Sequence, residues 1–112
     1  MPFIQTRTNV NISKDKELRI KEEFENSITL LGKNVNWLML EFVGDCNMYF
    51  GGQEKEVAYV DIRLLGSASK EGYDRMTEEV TNILSSELNI LPDNIYVSYL
   101  EYDNWGWNGN NL

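Results

Sequence analysis

Residues 57–66 read Val57-Ala58-Tyr59-Val60-Asp61-Ile62-Arg63-Leu64-Leu65-Gly66. Successive side chains of a strand point to opposite faces. Ala58, Val60, Ile62 and Leu64 therefore form one apolar face, and Tyr59, Asp61, Arg63 and Leu65 form the other. The alternation predicts a strand over 57–65, ended by Gly66. Downstream, Met76, Val80, Ile83, Leu84 and Leu88 recur at helical spacing. They predict a helix from about Ser69 to Leu88, with Asn89 as its end. Pro92-Asp93 begins a turn, and Ile95 to Tyr102 reads as a further strand. The last ten residues, Asp103 to Leu112, are rich in Asn, Gly and Trp and suit a short hairpin or extra strand.

The same order recurs upstream. Phe3 to Val10 carries the β-formers Phe3, Ile4, Thr6 and Thr8. Ser13 can cap a helix starting near Lys14, with Ile20, Phe24, Ile28 and Leu31 as its stripe and Gly32 as a left-handed stop. Trp37 to Val43 is nearly all apolar, the pattern of a strand covered on both faces. Gly44 to Glu56 is a loop that turns at Gly51-Gly52. The chain is thus two β-α-β halves offset by about 56 residues, a repeat of architecture rather than of sequence. Parallel crossovers are right-handed. The prediction is an α+β, two-layer domain spanning 1–112, with two helices on one face of a four-stranded mixed sheet. The other face is left open, with Trp37, Met39, Val43, Tyr59 and Leu65 as candidates to occupy it. An apolar sheet face of that size predicts self-association.

Composition narrows the chemistry. The 112 residues are 42% apolar, enough for a core, and the net charge is -8. That charge argues against nucleic acid, whose phosphates need a basic footprint. No apolar run approaches the roughly 20 residues of a membrane span. The N-terminus has no signal-peptide h-region, which predicts a cytoplasmic protein unless it leaves by a non-classical route. One cysteine, Cys46, excludes an intrachain disulfide and a Cys-x-x-Cys redox site. With no histidine, triads, His bases and most zinc sites are excluded, and neither a metal nor a cofactor is expected. Acid–base work falls to carboxylates, Lys, Tyr, Cys or the chain terminus. Met1-Pro2 matters here, although the dipeptide is also a common start. Removal of Met1 leaves Pro2 as a secondary amine with a free lone pair, and burial or a nearby cation lowers such an amine's pKa.

Six pieces occur in order along the whole chain. They are Pro2 opening a strand to Thr8-Asn9-Val10, Leu31-Gly32-Lys33, Met48-Tyr49-Phe50-Gly51-Gly52, Leu64-Leu65-Gly66, Pro92-Asp93-Asn94-Ile95-Tyr96 and Gly106-Trp107-Asn108-Gly109. Together they resemble the macrophage migration inhibitory factor family of the tautomerase superfamily. The resemblance implies a homotrimer and an isomerase of the phenylpyruvate tautomerase or L-dopachrome isomerase type, acting on aromatic keto or enol acids. It implies that Pro2 is the catalytic base and that Lys33 binds the substrate carboxylate. Read alone, Lys33 is a lysine complementing a helix C-terminus. The Leu65 backbone amide is implied to contact substrate. Tyr96 is implied to be lent by a neighbouring subunit, where its bare reading is an ordinary strand aromatic. Ser98 stands where mammalian-type members have Asn, and Asn34 replaces a proline after the pocket lysine. Trp37 stands where a rim tyrosine is common. Phe3 can wall the site, and Trp105 falls near a smaller apolar residue in a segment two residues shorter. An aromatic mouth of altered shape is the expectation. The family's Cys-containing redox motif is absent, since the stretch reads Val57-Ala58-Tyr59-Val60. The resemblance equally allows a cytokine-like, secreted signalling protein that binds a cell-surface receptor.

Overall fold

A computed structural model describes residues 1–112. Its sheet runs in the order β2-β1-β3-β4, from β1 (Pro2–Thr8), β2 (Met39–Val43), β3 (Ala58–Leu65) and β4 (Ile95–Tyr102). β1 pairs parallel with β2 and antiparallel with β3, and β3 pairs parallel with β4. Helix α1 (Lys14–Ser27) connects the first parallel pair and α2 (Lys70–Leu88) the second. The two β-α-β halves therefore meet at the central antiparallel ladder, which makes the sheet mixed, as the sequence predicts.

Both helices cover one face. Ile4, Thr6 and Thr8 of β1 and Ala58, Val60, Ile62 and Leu64 of β3 are buried there. Against them lie Ile20 and Phe24 of α1 and Met76, Val80, Ile83, Leu84 and Leu88 of α2, in one apolar cluster of 16 residues. Each fully buried side chain of this size stabilises the fold by about 1.5–3 kcal/mol relative to exposure. The helix starts follow their caps. The Ser13 side chain accepts from the Lys16 N–H at 3.3 Å, and the Ser69 side chain accepts from the Gly72 N–H at 3.0 Å. Asn89 ends α2 in the left-handed region at φ 56°.

Two boundaries differ from expectation. The first helix tightens at Ile28–Leu31 into a 3-10 turn before Gly32, which adopts φ 68°. Trp37 lies outside the strand, at the end of a second 3-10 turn, Val35–Trp37. The Asn34 side chain accepts from the Asn36 N–H at 2.8 Å and diverts the backbone from extended structure. Nor is β2 covered on both faces. It is an edge strand, with Leu40 and Phe42 toward the helices and an exposed Met39 on the opposite face.

The open face carries Phe3, Gln5 and Arg7 of β1, Tyr59, Asp61, Arg63 and Leu65 of β3, and Tyr96, Ser98, Leu100 and Tyr102 of β4. Beyond β4, β5 (Gly106–Trp107) and β6 (Asn110–Asn111) form the expected hairpin. Its turn residues Asn108 and Gly109 have φ 52° and 79°, the pair of positive angles that a two-residue turn of this hand needs.

Candidate active site

Pro2 is the first residue of β1, buried and opposite Leu64. The ladder continues past it, with the Leu65 N–H donating to the Met1 carbonyl at 3.1 Å. Lys33 reaches the same point from the helix layer. Gly32 turns the chain out of its 3-10 segment, and the Lys33 ammonium donates to the Leu65 carbonyl at 3.0 Å. Gly66 follows at φ 76°, its amide bonded to the Tyr102 carbonyl at 2.8 Å. The positive φ is what calls for glycine at this bend, since a Cβ there would make only an ordinary contact, 3.8 Å from the Lys33 Nζ.

Three of the predicted residues thus converge: Pro2, Lys33 and the Leu65 backbone. The electrostatics favour a neutral amine there. Burial, and then the Lys33 charge, lower the pKa of the Met1 terminal amine. With Met1 in place the Pro2 nitrogen is a tertiary amide and carries no basic lone pair.

An aromatic wall stands beside this point. A depression of about 450 Å³ is lined by Phe3, Met39, Arg63, Tyr102, Asn104, Trp105 and Gly106. Trp105 meets Tyr102 edge-on, with ring centroids 5.9 Å apart. Trp37 is half-exposed and meets Trp107 of the terminal hairpin edge-on at 4.9 Å. A second depression, of about 420 Å³, lies between the helices and is lined by polar residues including Glu23, Arg75, Glu78 and Glu79. It contains none of the predicted site residues.

Tyr96 and Ser98 do not join the cluster. Tyr96 pairs with Tyr59, five residues from Leu64 along β3, which is about 17 Å of strand from the Pro2 end. Tyr96 is exposed and packs on Phe50 at 5.1 Å between ring centroids. The Ser98 hydroxyl lies 2.7 Å from that of Tyr59. Met39, Arg63 and Tyr102 beside the site went unassigned from sequence. Only the strand register brings them together, although the outward face of 57–65 did include Arg63.

The family model described as macrophage migration inhibitory factor matches residues 1–112. The chain is 27% identical over 111 residues to the macrophage migration inhibitory factor of Meriones unguiculatus, covering 97% of this chain and 96% of that one. Its rat counterpart, from Rattus norvegicus, is 26% identical over the same length, with the same coverage. Among solved structures, Leishmania major MIF2 superposes with a TM-score of 0.94 at 27% identity, covering 100% of this chain and 97% of that one. The macrophage migration inhibitory factor-like protein of Entamoeba histolytica matches in fold, with a TM-score of 0.88 at 21% identity, covering 99% and 98%.

Proposed function

Since the chain belongs to the macrophage migration inhibitory factor family, we propose that it is a keto–enol tautomerase for phenylpyruvate-like or dopachrome-like acids. Pro2, exposed by removal of Met1, is its base. The observation that carries this reading is the hydrogen bond from the Leu65 N–H to the Met1 carbonyl at 3.1 Å. That oxygen is two bonds from the Pro2 nitrogen. Hydrolysis of the Met1–Pro2 bond frees both groups at once, leaving a basic nitrogen beside an unpaired N–H donor. The Lys33 ammonium donates to the carbonyl of the same residue, Leu65.

In this mechanism the substrate carboxylate binds Lys33, and the Leu65 N–H donates to a substrate oxygen. The Pro2 nitrogen takes a proton from the carbon beside the carbonyl. The released C–H pair becomes the enol double bond, the carbonyl π pair moves to oxygen, and that oxygen takes its proton from water, to which Pro2 gives up the abstracted one. Reversal returns the proton from Pro2 to carbon. Phe3, Trp37 and Trp105 wall the aromatic ring. Tyr96 and Ser98 act from the neighbouring copy of a homotrimer. Their distance from Pro2 within one chain and the exposed apolar residues of the open face support that assembly.

The test is conversion of phenylpyruvate enol to keto form, followed by ultraviolet absorbance, on protein whose mass confirms loss of Met1. Turnover above the buffer rate is expected. Its absence in fully processed protein would leave the receptor-directed, cytokine-like reading, which makes no demand on the Pro2 amine.

A further inference from the structure

The Leu65–Gly66 peptide is held from both sides. Its carbonyl accepts from the Lys33 ammonium at 3.0 Å, and its N–H donates to the Tyr102 carbonyl at 2.8 Å. Gly66, Ser67 and Ala68 then lead to Ser69, the cap of α2. Gly66 and Ser67 are exposed. One further hydrogen bond ties this turn down. The Ala68 N–H donates to the Tyr73 hydroxyl at 3.1 Å, and that hydroxyl donates in turn to the Glu101 carboxylate. A phenol has a single hydrogen, so giving it to Glu101 leaves the oxygen lone pairs for Ala68.

Tyr73 itself has little freedom. Its ring packs on Tyr99 with centroids 4.6 Å apart, and its carbonyl accepts from the Tyr99 hydroxyl at 3.2 Å. Burial, and then the hydrogen bond to Glu101, raise the pKa of the Tyr73 phenol, so it keeps its hydrogen at neutral pH. Glu101 pairs with Leu64, which in turn pairs with Pro2, so the brace stands at the Pro2 end of the sheet. Its contact with α2 places it on the helix side, away from the open face that the proposed trimer covers.

We propose that Tyr73, oriented by Glu101, is a positioning residue for Lys33. Anchoring Ala68 stiffens the turn, the turn fixes the Leu65 carbonyl, and that carbonyl aims the ammonium at the substrate carboxylate. The inference rests on the tautomerase reading above and deepens its account of substrate binding.

The experiment measures KM and kcat for phenylpyruvate enol on processed protein carrying Tyr73→Phe, which deletes the hydroxyl and keeps the ring. KM should rise about threefold with kcat nearly unchanged, within the scale of one hydrogen bond. Glu101→Ala should raise KM in the same way, and Glu101→Gln, whose amide oxygen still accepts, should restore it toward wild type. The deciding measurement combines Tyr73→Phe with Lys33→Ala. Residues that act through one another are non-additive, so Tyr73→Phe should leave KM unchanged once the Lys33 ammonium is gone. A wild-type KM in Tyr73→Phe, or an equal rise with and without the ammonium, overturns the proposal. Failure of the tautomerase reading is separable. If the enol is not converted, calorimetric titration with 3-phenylpropionate runs the same cycle. Weaker binding by Tyr73→Phe that disappears in the Lys33→Ala background supports the proposal. Equal binding by wild type and Tyr73→Phe, or no binding by the wild type, overturns it.

Discussion

With Met1 attached, the Pro2 nitrogen shares its lone pair with the Met1 carbonyl, and as a free terminus it is a secondary amine. An ordinary α-amino group titrates near about 7.7–8.0. In the unprocessed chain burial, and then Lys33, lower the pKa of the Met1 terminal amine, and the same two causes would act on a terminus at buried Pro2. A protonated amine cannot accept a proton, so activity should rise with pH and reach half its maximum below that ordinary range. A kcat/KM profile with its midpoint above pH 8 would contradict this. In the proposed mechanism Lys33 acts on the carboxylate in ground state and transition state alike. Lys33→Ala should therefore raise KM about tenfold while changing kcat less, as steady-state kinetics would record. Lost kcat at unchanged KM would reassign Lys33 to the carbonyl. The role proposed for Lys33 comes only from resemblance, whereas Pro2 also stands out by itself as a potential secondary amine. Lys33 alone reads as a helix-end cation, and nothing local in Arg63 announces that it faces Phe3.

Among the elements, helix α2 was readable almost to its ends, because its stripe and the left-handed Asn89 agree with the three-dimensional packing. Strand β3 was equally legible, since its alternation matches a sheet covered on one side. Strand β2 was not. Its apolar run resembles a central strand, yet Asn34 turns Trp37 out of it and the strand takes the sheet edge. What covers Met39 is not written in its own segment. Gly72 offers a test at this scale. In an exposed helix Gly→Ala stabilises by about 1 kcal/mol. Here a Cβ would sit 2.6 Å from the Leu30 carbonyl oxygen, where α2 crosses the turn after α1. Gly72→Ala should instead destabilise by about 1–3 kcal/mol, the cost of overpacking. Denaturant titration reads the difference, and a raised midpoint would mean that the helices separate more easily than their packing suggests.

The molecule as a whole keeps one face of its sheet unclad, with Met39, Tyr59, Tyr96 and Leu100 substantially exposed. Such a face is ordinarily covered by association, and the proposed trimer covers it while carrying Tyr96 and Ser98 to a neighbour's Pro2. Sedimentation at micromolar concentration should give three copies. Leu100→Glu should yield folded monomers with little tautomerase activity. A monomeric wild type would remove Tyr96 and Ser98 from the site. All of this depends on the terminus, and one comparison tests it most directly. Phenylpyruvate enol conversion is measured on protein lacking Met1 and on protein with Ala inserted between Met1 and Pro2, each verified by mass. The processed protein should turn over, and protein in which Pro2 remains an amide should fall to the buffer rate. Equal rates from a protein confirmed to be blocked at Pro2 would contradict the assignment of Pro2 as the base.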